Sequence, residues 1–146
     1  MPARPETIRF VKERRDGDLA MVAFEYVDVQ DRAWEGWVGV RLTDGVWRVT
    51  GGASGSAGNQ PRSPAPWANL GSTWSERLSM AGGRVHGEGI VRARLVSTSG
   101  AAVEDSVDDG IALLLAPGPF PRPWTVELYD ASGALLGSHP YPRRPA

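Results

Sequence analysis

Four carboxylates fall within six residues, Glu104, Asp105, Asp108 and Asp109, and Gly110 follows them. Oxygen donors at that density suit calcium, a hard cation, although the spacing is not that of an EF-hand loop. A solvated acidic turn between two strands accounts for the same residues. His86-Gly87-Glu88 places two further ligand types on one strand face, but a set of two is incomplete. His86 and His139 are the only histidines. A hydrolase would therefore have to draw on Asp105, Asp109 and His86, with no Gly-x-Ser-x-Gly elbow to present a serine. Cysteine is absent, which removes thiol nucleophiles, thiolate metal sites and disulfides. The run Gly52-Ala53-Ser54-Gly55-Ser56 lacks the Gly-Lys-Ser/Thr that completes a phosphate-cradling loop.

Aromatic residues carry the stronger signal. Among six tryptophans, Trp34, Trp47 and Trp124 fall on strand faces whose neighbours are apolar, whereas Trp37 shares its face with Glu35 and Arg41. Trp67 and Trp74 flank a Pro-rich stretch. Tryptophan joins a large apolar area to a polar edge, so Trp37, Trp67, Trp74 and Arg41 form a candidate contact surface for a protein partner or a stacked sugar. The alternative is that the Pro-rich stretch folds over Trp37 and its own tryptophans hold it there.

The chain has 146 residues, 41% hydrophobic and 23% charged, with a formal net charge of -1. No whole-molecule field favours nucleic acid or anionic membranes, and neither is expected as a partner. Lys12 is the only lysine among 16 basic residues, which fits codon bias in a GC-rich bacterial genome. The first residues lack the basic-then-apolar pattern of a signal peptide, and no stretch reaches the roughly 20 apolar residues of a membrane span. As written, the chain reads as cytoplasmic.

Short strands must position whatever these residues do. Residues 7–50 read as an antiparallel meander, with turns at Asp16-Gly17, Gln30-Asp31-Arg32 and, most clearly, Asp44-Gly45 between alternating runs. In it Val22, Phe24 and Tyr26 face one way and Leu19, Met21 and Ala23 the other. Trp34, Val38, Val40, Leu42, Trp47 and Val49 read as core-facing. Residues 51–73, rich in Gly, Ser and Pro, read as a long loop whose tip near 54–66 is a contact candidate. Residues 74–80 fit a strand better than a helix, with a turn at 81–84. Ile111-Ala112-Leu113-Leu114-Leu115 is apolar throughout, as in a strand covered on both faces. Trp124, Val126 and Leu128 alternate with polar residues ahead of the Asp130-Ala131-Ser132-Gly133 turn. Residues 141–146, with a Pro-x-x-Pro spacing, read as a mobile tail.

The sum is one all-β domain, a two-layer antiparallel β-sandwich of eight or nine strands. Its strand pattern resembles the immunoglobulin-like topology, without the Cys-Trp-Cys signature. The expected function is a non-catalytic binding or protein-interaction module needing no cofactor. Carbohydrate binding through exposed tryptophans, a calcium-stabilised structural domain holding the ion at Glu104, Asp105, Asp108 and Asp109, and last a hydrolase are the alternatives.

Overall fold

The computed structural model describes residues 2–57 and 65–142. A short 3-10 turn, Pro5–Thr7, precedes eleven strands: β1 (Arg9–Asp16), β2 (Leu19–Val27), β3 (Ala33–Thr43), β4 (Val46–Ser56), β5 (Trp67–Trp74), β6 (Leu78–His86), β7 (Arg92–Ser97), β8 (Ala102–Ser106), β9 (Ile111–Pro117), β10 (Trp124–Tyr129) and β11 (Leu135–Tyr141). They form three antiparallel sheets in the orders β1-β2-β3-β4, β5-β6-β9 and β11-β10-β7-β8. The protein is an all-β sandwich. Among the described residues no helix is long and apolar enough to cross a membrane.

The three-stranded sheet is the middle layer, and alternation along its strands explains why. In β9, Ala112, Leu114 and Ala116 join Ala81, Val85, Leu95, Trp124, Val126 and Leu128 in one core, against β11-β10-β7-β8. Ile111, Leu113 and Leu115 point the other way and meet Leu19, Met21, Ala23, Trp37 and Met80 in a second core, under the meander. The continuous apolar run therefore has the two-sided cover its composition predicts. The sandwich has eleven strands and a third layer where eight or nine strands in two layers were expected. The extra strands come from residues read as loop.

Gly51–Ser56 is the second half of β4, hydrogen-bonded to Gly39–Trp34 of β3, and Trp67–Trp74 is β5, paired with β6. Glycine is poor in strands for want of a side chain to pack, yet here close packing between sheets requires it. A Cβ on Gly82 would lie 2.9 Å from Trp37 Cδ1, and one on Gly51 would lie 2.9 Å from Thr73 Cγ2. The turn expected at 81–84 sits instead at 75–77, where Ser75 Oγ accepts from Leu78 N at 3.1 Å, and 78–86 run as one strand. The Asp44-Gly45 turn is as the sequence predicts, with φ of 51° and 77° at its two central residues. Tyr141 ends β11 stacked on Trp124, ring centroids 5.7 Å apart, and is no part of a mobile tail. Residues 58–64 and 143–146, which hold most of the expected loop tip and tail, lie outside the described residues.

One edge of β9 pairs with β6; the other is met at Ile111 by the Asp108 backbone and beyond it by side chains. Asp105, on β8, accepts Leu113 N at 2.7 Å, and Lys12, on β1, donates to Ile111 O at 3.0 Å. The two side chains pair with each other at 2.7 Å, with 7% and 8% of their surface exposed. Arg14 adds a bond to the other Asp105 oxygen at 2.9 Å. Buried backbone donors and acceptors must be satisfied, so this pair lets β9 be an edge and still lie inside. It also joins the meander to the sheet that carries β8. Lys12→Met would leave a buried carboxylate with Arg14 as its one remaining cation. The expected cost is about 3 kcal/mol, the low end for a broken buried pair. Urea unfolding checks it; a loss below about 1 kcal/mol, as for exposed pairs, would contradict the burial argument.

Candidate functional site

Strand register decides which side chains reach the surface. Ala23 lies opposite Trp37 and Met21 opposite Gly39, so Trp37 and Gly39 share the inner face with the Met80 core. The intervening positions, Trp34, Val38, Val40 and Leu42, turn outward with Val22, Phe24 and Tyr26 of β2. Trp47 pairs with Leu42 and Val49 with Val40, which places both on the outer face too. Trp34 and Trp47 are thus on the solvent side and Trp37 is in the core, the reverse of the sequence expectation. Alternation on β3 favours the wrong face, because Trp37 stands among Glu35 and Arg41, and the close approach of Met80 to Gly39, where a Cβ would collide with Sδ, marks the inner one.

The outer face of the meander is mostly apolar, with Glu13 and Arg15 on β1 and Ser54 and Ser56 on β4 as its polar side chains. Phe10 is 74% exposed, Val49 71% and Trp47 40%. Phe24, Tyr26 and Trp34 form a row, with ring centroids 6.0 and 6.4 Å apart and planes within 18° and 10° of parallel. Trp34 is anchored by donating Nε1–H to Asp28 at 2.8 Å. Asp28 is fully buried and also accepts from Gln30 N, Arg32 N and Arg32 Nε. Burial by itself would raise its pKa, but those hydrogen bonds outweigh burial and hold it at about 2. Within the strands the charged residues of this face are Glu13 and Arg15, and the Arg15 guanidinium lies 5.0 Å from the Trp47 ring centre.

Of the residues singled out from sequence, Trp37 is 2% exposed and donates Nε1–H to Gly71 O at 3.2 Å. It is buried in the core and presents no exposed ring face; β5, from the expected loop, packs beside it. Arg41 is half-buried at the end of the same inner face, opposite Leu19 and Arg48. Trp67 stacks on His139 with ring centroids 3.7 Å apart. Trp74 is 56% exposed and caps the Arg122 guanidinium, 4.9 Å away, whose other side faces Trp124 at 5.5 Å. The four do not form one surface.

The acidic cluster is also dispersed. The Lys12 ammonium already sits among its oxygens, bonded to Asp105, Asp108 and the Ser106 and Ile111 carbonyls. Asp108 is held below the ordinary carboxylate range by the Ser106 hydroxyl first and by Lys12 second. Glu104 points to Arg92 at 3.6 Å, and the Asp109 carbonyl accepts from Arg84. Among the described residues no group of three or more His, Asp or Glu is placed to hold a metal ion. Both Asp105 oxygens are engaged by cations, and neither of two surface clefts joins it to His86 and Asp109. The larger sequence signal that was missed is the pairing of Lys12 with this cluster.

A cleft of about 200 Å³ opens between the meander and the middle sheet, over Trp37, Leu113 and Ile111. Its rim holds Glu25 and Glu35, which lie opposite each other on β2 and β3. Arg84 grips Glu35 through Nε at 3.1 Å and Nη2 at 2.8 Å, and this raises its pKa. Arg9 pairs with Glu25 at 3.1 Å, so the rim charges are matched. Comparison of the chain with protein-family models, with curated proteins and with solved structures gives no match.

His139 closes the seam between β11 and β5. Its Nε2 accepts from Ala68 N at 3.1 Å, so Nδ1 carries the proton and donates to Pro140 O at 3.1 Å. Burial lowers its pKa below 6.5, and the Pro140 bond opposes this only in part. The unfolded chain therefore binds the proton more readily. The stabilisation from neutral His139 is complete above about pH 6.5 and is lost as pH falls below it. Urea midpoints at pH 7.5 and 5.5 should show a drop in the wild type and a smaller one in His139→Gln, which keeps an acceptor and cannot titrate. Equal drops would contradict the assignment.

Proposed function

We propose that the protein is a non-catalytic protein-interaction module and that its contact surface is the outer face of the meander. One observation carries the reading: a four-stranded sheet whose inner face is already buried presents a second apolar face, including Phe10, Phe24, Tyr26, Trp34, Trp47 and Val49. Contiguous exposed apolar patches larger than a few hundred Å² are rare on monomers and mark interaction sites. A glycan platform would need polar side chains between its rings to bond hydroxyls. Here Val22, Val38, Val40 and Val49 lie between them, and the polar Glu13, Arg15, Ser54 and Ser56 sit on the two edge strands, which favours a polypeptide. The calcium reading loses support because Lys12 fills the acidic cluster, and the hydrolase reading because Asp105 is neutralised.

The arrangement of β5 to β11 supports a further reading, that this part is immunoglobulin-like. Six of its seven strands, β7, β10 and β11 in one sheet and β5, β6 and β9 in the facing one, follow that pattern. The fourth strand of the larger sheet, β8, lies beside β7, whereas in constant-type domains the seventh strand joins the other sheet.

A photo-reactive phenylalanine analogue placed at Val49 tests the proposal, with the same probe at Thr125, exposed on the opposite face of the sandwich. On irradiation in lysate of the source organism, a discrete polypeptide adduct is expected from Val49 and none from Thr125. Equal labelling, or none at Val49, would refute it.

A further inference from the structure

We propose that the polypeptide covering the outer face of the meander is a second copy of this chain, the two faces packing sheet against sheet. The inference rests on the reading of that face as the contact surface. Shape is the first argument. The face is built from the extended strands of one four-stranded sheet, and a second sheet can pack on such a face at about 10 Å with interdigitated side chains. The inner face of the same meander is covered in this way by β6 and β9.

Charge is the second. Glu13 and Arg15 are one of each sign, so the face is neutral and complementary to itself under a two-fold axis, where each residue of one copy can oppose the other kind in its partner. Anionic membrane is disfavoured by the same count: Arg15 is the one cation of the strand face, and surface attachment draws on clusters of four or more.

Area is the third. Four strands about 4.8 Å apart and about eight residues long, at roughly 3.3 Å per residue, give a face of about 500 Å² in plan. Two such faces hide about 1,000 Å² before the relief of projecting side chains is counted, which brings the pair to the lower bound of roughly 1,200 Å² for a specific interface. Phe10, Trp47 and Val49, the most exposed of the set, project furthest and supply that relief. An interface of this composition, aromatic and aliphatic with few charges, matches the core of a homodimer contact.

Sedimentation velocity on the full chain, from low to high micromolar, tests the proposal. The wild type is expected to reach twice the 15.7 kDa of one chain. Val49→Glu and Phe10→Glu, both at exposed positions, should weaken association by at least about tenfold each, with circular dichroism unchanged. Thr125→Glu should leave it intact. Glu13→Arg should also weaken it, since both faces then carry positive charge alone. A dimer indifferent to Val49→Glu and Phe10→Glu would overturn the proposal by placing the interface elsewhere. A wild type that stays monomeric while the Val49 probe captures a different polypeptide overturns the second copy and leaves the contact surface standing. Monomer with no adduct overturns both.

Discussion

The fold depends on keeping β9 inside. That strand is apolar on both faces, with Ala112, Leu113 and Leu114 at 1% exposure or less, and only β6 pairs with it along its length. A strand so placed must satisfy the backbone groups of its second edge without water. The Asp108 backbone does this at Ile111, and Asp105 at Leu113 N and Lys12 at Ile111 O add to it from two different sheets; because the two side chains also neutralise each other, neither charge is left alone in the interior. The chain's single lysine is thus a structural counter-ion. Its flexible stem carries a compact charge with three donors, which suits a site of two carboxylates and two carbonyls better than a planar guanidinium would.

Stacking three sheets then sets the requirements for the rest. The middle sheet has cores on both sides, so Met80, Gly82 and Trp37 must interdigitate where a side chain on Gly82 would separate the layers. The same logic accounts for the meander's outer face. Its inner positions meet the middle sheet, yet its outer positions are mostly apolar too, and no described part of the chain covers them. At the far side of the molecule the outer positions of β7 and β10 are instead charged and paired, as Arg94 with Glu127 and Arg92 with Glu104. The contrast between the two outer faces of one protein is the physical basis for assigning contact to the meander.

Sequence patterning made part of this legible. Residues Ile111 to Leu115 read as doubly covered, Trp124, Val126 and Leu128 as one apolar face of a strand, and Asp44-Gly45 as a tight hairpin because both residues accept positive φ. Each depends on local composition alone. Gly51–Ser56 was hidden because small residues carry little strand propensity of their own, and its pairing with β3 and close approach to β5 are contacts that no local propensity encodes. The inward turn of Trp37 was hidden for a related reason: on β3 the face of Trp34, Val38, Val40 and Leu42 is the more apolar one, and Trp37, which stands among Glu35, Gly39 and Arg41, is drawn inward by packing with Met80, far along the chain. The acidic run at 104–109 suggested a cation and does hold one, but the cation is Lys12, contributed by the first strand. Its role becomes visible only once β1 and β8 are brought together.

Native-state hydrogen exchange at the Leu113 amide tests the β9 account most directly. That N–H points to the strand's second edge and is held by the Asp105 carboxylate. If Asp105 and Lys12 close the edge, it should exchange only through global unfolding, as slowly as the amides of β10 in the opposite core, and Lys12→Met should speed it selectively. Exchange at the rate of an exposed edge amide in the wild type would contradict the account, because β9 would then be open to water and the meander would not be its cover.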